Sequence, residues 1–225
     1  MRIGLFGGTF NPVHFGHLRT VLEVTEHFRL DRVYLIPSAM PPHKSSEGIA
    51  SPRDRLEMVH LATEGVPEFA PSDIELQRTG PSYTIDTLGA FSDMFPEAAP
   101  CFLILGLDAF LEIHTWKSHL EILRRVPLIV MGRPAEGGND ASTTENSVSC
   151  VVFRYLSAFL SPDYTYVSEQ SAYRHPEFQP VYLMEVTHLD ISSSAIRHRI
   201  QNGQSIRFLT PDAVLTYISH KGLYR

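Results

Sequence analysis

Cysteine is scarce: two residues, Cys101 and Cys150, in a chain of 225. They stand far apart, and Cys101 falls in an apolar run where it reads as a small core residue, which argues against a disulfide framework and a cysteine-ligated metal. Positive charge is not in surplus either. Nineteen Lys and Arg against 25 Asp and Glu give a net charge of −6, so no broad cationic surface is on offer to a nucleic-acid backbone, and nucleic acid is not an expected partner. No apolar run approaches the ~18 residues that suggest a bilayer span. At the N-terminus, Gly7-Gly8 and Pro12 intervene before a signal-peptide core develops. No membrane partner is expected, and the expected compartment is cytoplasmic. Two phosphate-binding signatures are absent as well, G-x-G-x-x-G and G-x-x-x-x-G-K-[ST], which removes the usual marks of a dehydrogenase and of a P-loop protein.

Present instead are short, continuous apolar runs: Ile3 to Phe6, Val33 to Ile36, Cys101 to Leu105, Leu128 to Met131 and Val181 to Met184. Such runs suit strands buried on both faces. Helical patterns lie between them. The first helix is predicted from near Phe15, with Phe15, Leu18, Val21, Leu22 and Phe28 inward. A second opens at Ser51-Pro52-Arg53-Asp54, where Ser51 caps, Pro52 fits the first turn and Asp54 completes a capping box; its inward stripe is Leu56, Val59 and Ala62.

Further helices are expected from Tyr83 to about Phe95 and from Trp116 to about Arg125, and one more fits 151 to 160. Asn202-Gly203 stops another, and Thr210-Pro211 starts the last, which runs to Lys221-Gly222. The polar, aperiodic stretch 135–150 reads as a surface loop, and 161–180 has no clear period. Alternating strand and helix implies an α/β fold with a doubly wound parallel sheet of about five or six strands and right-handed crossovers. One domain, 1–225, accommodates this, with 186–225 as a C-terminal helical subregion.

Chemistry concentrates where the first strand ends, in Gly7-Gly8-Thr9-Phe10-Asn11-Pro12-Val13-His14-Phe15-Gly16-His17. Ligands of open α/β sheets sit at that edge. Gly7 and Gly8 let a phosphate approach main-chain N–H groups directly. His14 and His17, three apart on the first helical turn, can both donate to phosphate oxygens within the positive end of the helix dipole. Gly16 between them removes a side chain that would crowd a ligand. No carboxylate or cysteine stands at ligand spacing, so no protein-held metal is expected there.

A second cluster, Asp190-Ile191-Ser192-Ser193-Ser194-Ala195-Ile196-Arg197, places three serines and a fixed cationic fork at a helix start. Capping explains one serine; three followed by Arg197 suit the β- and γ-phosphates of a triphosphate. Ile196 and Ile200 would face the core.

The H-x-G-H element after G-G-T-F resembles the nucleotidyltransferase superfamily, related to class I aminoacyl-tRNA synthetases, and the late cluster is similar to its second signature, I-S-S-T/S-x-I-R. Many members carry Asp where this chain has Asn11. Met40-Pro41-Pro42-His43-Lys44, Ser82-Tyr83-Thr84-Ile85-Asp86-Thr87-Leu88, Gly106-Leu107-Asp108 with Trp116, and the C-terminal Val214 to Tyr224 resemble the bacterial nicotinate mononucleotide adenylyltransferases in particular.

That resemblance implies a Rossmann-like fold and AMP transfer from ATP to nicotinate mononucleotide, with Mg²⁺ held mainly by the ATP phosphates. It implies catalytic roles for His14, His17 and Arg197. The implied ATP-binding residues are Gly7, Gly8, Thr9, Phe10, His14, His17, Gly106, Asp108, Arg133, Ser192, Ser193, Ser194 and Arg197. The acceptor would meet Lys44, Tyr83, Thr84 and Trp116. Physically, Trp116 either stacks on a pyridinium ring or packs into the core. Asp108 either accepts ribose hydroxyls or caps a helix. Lys44 neutralises phosphate or is a solvated loop charge, and Arg133 flanks the nucleotide or lies on the surface. Enzymes acting on nicotinamide mononucleotide or phosphopantetheine, and a non-catalytic nucleotide-binding regulator, are the alternatives. The sequence leaves a homo-oligomer open.

Overall fold

Each of the apolar runs is a strand, because continuous Ile, Val, Leu and Phe satisfy a sheet covered on both faces. The computed structural model describes residues 1–40, 48–95, 101–132 and 147–225. Its elements begin β1 (Ile3–Gly8), α1 (Phe15–Phe28), β2 (Arg32–Pro37), α2 (Pro52–Thr63), β3 (Phe69–Pro71) and α3 (Thr84–Met94). They continue β4 (Cys101–Gly106), α4 (Leu107–Phe110), α5 (His119–Arg125), β5 (Leu128–Gly132), α6 (Val148–Tyr155), β6 (Thr165–Val167) and β7 (Ala172–Arg174). The last are β8 (Val181–Glu185), α7 (Ser193–Gln201) and α8 (Asp212–Lys221). A 3₁₀ turn spans Ile113–Thr115, and a π-helical turn, Leu156–Leu160, extends α6. No helix among the described residues is long and apolar enough to cross a membrane.

The chain forms two units, one of Leu5–Ser82 with Leu189–Arg225 and Met1, the other of Arg2–Gly4 with Tyr83–His188. β1 contributes to both. In the first unit the strand order is β3-β2-β1, and β2 pairs with β3 in parallel, Val33 opposite Phe69. Val33, Leu35 and Ile36 of β2, Val21 and Val24 of α1, and Met58 and Val59 of α2 are buried apolar residues of these elements. In the second unit the order is β1-β4-β5-β8-β7-β6. β4, β5 and β8 run parallel, with Leu103 opposite Leu128 and Leu128 opposite Val181. β7 and β6 turn antiparallel at the edge. Fully burying each such aliphatic side chain contributes roughly 1.5–3 kcal/mol.

The fold class stands, but among the described residues eight strands are present rather than five or six. The additional ones, β3, β6 and β7, have three residues each, too short for an alternation to register. Two inward stripes also differ from expectation. In α1 the buried residues are Val21, Val24 and Thr25, while Phe15 is 37% exposed; six residues before Val21, it falls well off that face at ~100° per residue. In α2 the buried set is Arg55, Met58, Val59 and Thr63, with Leu56 and Ala62 only half-buried.

The predicted helix at Trp116 starts later, at His119, because Trp116 closes the 3₁₀ turn by donating its N–H to Ile113 (3.0 Å). The expected surface loop 135–150 falls outside the described residues as far as 146, and its end is helical. There Ser147 caps α6 by accepting from the Cys150 N–H at 3.2 Å.

Candidate active site

Between β1 and α1 the chain turns its carbonyl groups into the first unit, where donors from distant segments hold them. The Gly8 oxygen accepts from Ser38 N–H (2.9 Å), Thr9 from Arg55 (2.8 Å), Asn11 from Arg197 (2.9 Å), Pro12 from the Ser193 hydroxyl (2.9 Å) and Val13 from the Thr210 hydroxyl (2.8 Å). Tying down the negative ends of these peptides makes the loop a better host for an anion. Asn11, 3% exposed, is a node. Its Nδ2 donates to Gly48 O (3.1 Å), and its Oδ1 accepts from Ala50 N–H (3.0 Å) and the Tyr224 hydroxyl (2.8 Å). The side-chain amide thus serves the fold, using a donor that an Asp would lack.

The two histidines stack, ring centroids 3.7 Å apart. His14 is buried, and burial pushes its imidazole down to about 4, so it is neutral at pH 7. Its Nδ1 is buried without a hydrogen-bond partner. The His14 main-chain N–H donates to Nδ1 of His17 at 3.3 Å, an acceptor role that puts the proton of a neutral imidazole on Nε2. Phe10 is buried, its ring edge-on to His17 at 5.2 Å, so it buttresses the imidazole with its side chain.

The glycines divide their work. A Cβ on Gly7 would meet nothing within 4 Å, whereas one on Gly8 would strike the Phe10 ring at 3.0 Å. A Cβ on Gly16 would meet the His14 ring at 3.0 Å, so Gly16 makes room for His14 and not only for a ligand.

The late serine-arginine turn arrives at the same loop. Ser192 caps α7 by accepting from Ala195 N–H (3.1 Å), Ser193 reaches Pro12, and Ser194 accepts from Arg197 (3.3 Å). The Arg197 guanidinium is thereby aimed by Ser194 and Asn11. The starts of α1 and α7, each the positive end of a helix dipole, therefore lie side by side with one guanidinium and two imidazoles.

In the second unit, Tyr83 is the N-cap of α3 and Thr84 its first residue, so main-chain N–H groups here need partners from outside the helix. Lys117 links this turn to the Trp116 segment: its Nζ pairs with Asp86 at 3.0 Å and lies 4.6 Å from the centre of the Tyr83 ring. Trp116 is half-buried. The preceding turn is held by Tyr155, whose hydroxyl accepts the His114 N–H (3.1 Å) and bonds its Nδ1 (2.7 Å). Gly106 ends β4, and Asp108 is exposed on α4. Lys44 and Arg133 lie outside the described residues.

Reading the sequence left out Arg55, Thr210, Tyr155 and Lys117. Only Arg55 carried a signal. It stands at the proper helical spacing from Met58, Val59 and Thr63, a cation in an inward row.

A mostly parallel α/β fold whose glycine loop is tied to a second helix start by Ser193 and Arg197 is the build of a nucleotidyltransferase. The chain matches the cytidylyltransferase-like family over residues 5–199. A relative from Desulfatibacillum aliphaticivorans, described as "probable nicotinate-nucleotide adenylyltransferase", is 43% identical over 225 residues, covering 100% of both chains. One of the same description from Pseudomonas syringae pv. tomato is 40% identical, covering 100% of this chain and 94% of its own. The chain belongs to the cytidylyltransferase-like family, on the branch of the nicotinate-nucleotide adenylyltransferases. Among solved structures, the nicotinic acid mononucleotide adenylyltransferase of Plasmodium falciparum complexed with NaAD has a TM-score of 0.69 at 16% identity, covering 99% of this chain and 97% of its own. That likeness is one of fold.

Proposed function

We propose that the protein transfers AMP from ATP to nicotinate mononucleotide, giving deamido-NAD and pyrophosphate. The observation that carries this reading is the convergence of the two phosphate motifs, with Ser193 on Pro12 and Arg197 on Asn11. A 5′-phosphate oxygen of the acceptor attacks the α-phosphorus of ATP, and the bond from that phosphorus to the bridging oxygen breaks in line. A phosphate monoester with a second pKa near ~6 is already largely dianionic at pH 7, so no protein base is needed.

The protein's part is alignment and charge stabilisation. Neutral His14 and its neighbour His17 donate hydrogen bonds, Arg197 supplies positive charge, and the positive dipole ends of α1 and α7 face the phosphate oxygens. Tyr83, Thr84 and Trp116 hold the acceptor: Trp116 offers a face to the pyridinium, worth ~0.5–2 kcal/mol, and the α3 start takes the carboxylate. Mg²⁺, held mainly by the ATP phosphates, would supply further neutralisation of the charge on the leaving pyrophosphate. Among the described residues no group of three or more His, Cys, Asp or Glu is gathered that could hold a metal ion. We place the reaction in the cytoplasm.

The test offers purified protein ATP and Mg²⁺ with nicotinate mononucleotide, its amide, phosphopantetheine or glycerol 3-phosphate in turn and follows pyrophosphate release. Release with the nicotinate compound foremost, and a fall in turnover of about 10²-fold in His17→Ala, are the expected results. Silence with all acceptors would favour a nucleotide-binding regulator.

A further inference from the structure

Arg55 is 1% exposed and forms no ion pair among the described residues. All its hydrogen bonds go to main-chain carbonyls. Nε donates to Ala50 (3.0 Å), Nη1 to Thr9 (2.8 Å), and Nη2 to Ser38 (2.6 Å) and Ala39 (3.4 Å). One planar fork therefore joins the end of β2, the approach to α2 and the glycine loop.

Glu75 and Tyr224 act on this guanidinium electrostatically from outside ion-pair distance. Neutral acceptors satisfy the N–H groups but do not cancel the charge, and a buried cation so placed is costly. Carbonyl groups at these positions need donors, yet nothing in the hydrogen bonding requires a cation.

We propose that Arg55 is a positioning residue for the triphosphate. It fixes the glycine loop through Thr9, and its charge is matched by the polyanion when that ligand arrives. The inference rests on the reading of the glycine loop as a phosphate site, and adds a cation that touches the loop's carbonyl side and never the ligand. Arg197 and Arg55 then have different tasks, the first at the α7 start and the second behind Thr9. Both also act on the Tyr224 hydroxyl, which bonds Asn11 of the same loop.

The experiment compares the full-length wild type with R55K and R55M, measuring calorimetric affinity for inorganic tripolyphosphate and, separately, KM for ATP and for nicotinate mononucleotide. R55K retains the charge but cannot span all the carbonyl partners. The expected result is tripolyphosphate affinity weakened about tenfold in R55K and further in R55M, with KM for the nicotinate compound within about twofold of wild type. Equal weakening in the two variants, or the same rise in KM for both substrates, would mean a purely structural role and overturn the proposal. If neither variant folds, the ¹⁵Nε resonance of Arg55 in the wild type decides: it shifts on adding tripolyphosphate, and a stationary signal under saturation sinks the idea. Wild-type protein that binds tripolyphosphate but transfers no AMP would remove the proposed activity and leave the role of Arg55 intact.

Discussion

The Ser193 hydroxyl donates to the carbonyl oxygen of Pro12 at 2.9 Å, joining residues 181 positions apart. Its proton is therefore engaged with the loop, while the neighbouring Ser192 hydroxyl holds its own helix start. Ser193 behaves as a strut between the glycine loop and the serine-arginine turn, and Ser192 as a cap.

The two serines should separate on mutation. Ser192→Ala removes the cap and costs about 1 kcal/mol of stability, with KM for ATP nearly unchanged. Ser193→Ala also costs about 1 kcal/mol, but raises KM for ATP severalfold because the two halves of the grip lose their tie. Urea unfolding and initial-rate kinetics on both variants check this.

His14 makes stability depend on pH in a defined window. Its folded value of about 4 lies below the ordinary 6.5. Above the ordinary value both folded and unfolded chains are neutral at this residue and its contribution is complete. As pH falls from there toward 4, the unfolded chain takes up a proton that the folded chain refuses, and stability drops by on the order of 3 kcal/mol. Urea midpoints between pH 7 and pH 4 should fall in the wild type, with a shallower slope in His14→Gln.

Gly16→Ala should impair turnover more than stability. The new methyl would sit 3.0 Å from Nδ1 and 3.1 Å from Cε1 of His14, and 3.6 Å from the Ile191 carbonyl oxygen. The ring has to turn, disturbing its stack with His17. Turnover is expected to fall about 10²-fold, with the thermal midpoint shifted by only a few degrees; unchanged turnover would show that the ring's position is unimportant.

Tyr155→Phe tests the acceptor side. Removing the hydroxyl strips two hydrogen bonds from His114, two residues before Trp116. KM for nicotinate mononucleotide should rise about three- to tenfold while KM for ATP holds, at a stability cost of roughly 1–2 kcal/mol.

Much of the architecture was legible in local pattern. Ser51-Pro52-Arg53-Asp54 forms the expected start of α2, with Asp54 N–H on Ser51 at 3.1 Å and the Ser51 hydroxyl on the Asp54 carboxylate at 2.6 Å. That hydrogen bond, above all, holds the Asp54 carboxyl below its ordinary value. Ile85, Leu88 and Phe91, spaced three apart, are buried along α3. The short strands β6 and β7 were not legible, because a three-residue edge strand owes its conformation to its neighbour's hydrogen bonds.

Runs of apolar residues, caps and the two signature motifs follow from interactions within a few residues, so strand and helix identity, fold class and family could be read along the chain. Which residues share the glycine loop was decided by folding in three dimensions. Asn11 acts through its amide on Gly48 and Ala50, and Arg55 faces inward one position from the predicted Leu56 stripe. Thr210 is bonded to Val13 across 197 positions. These partners are main-chain carbonyl and amide groups that every residue type carries alike. No side-chain alphabet announces them, and only packing brings each donor to its acceptor.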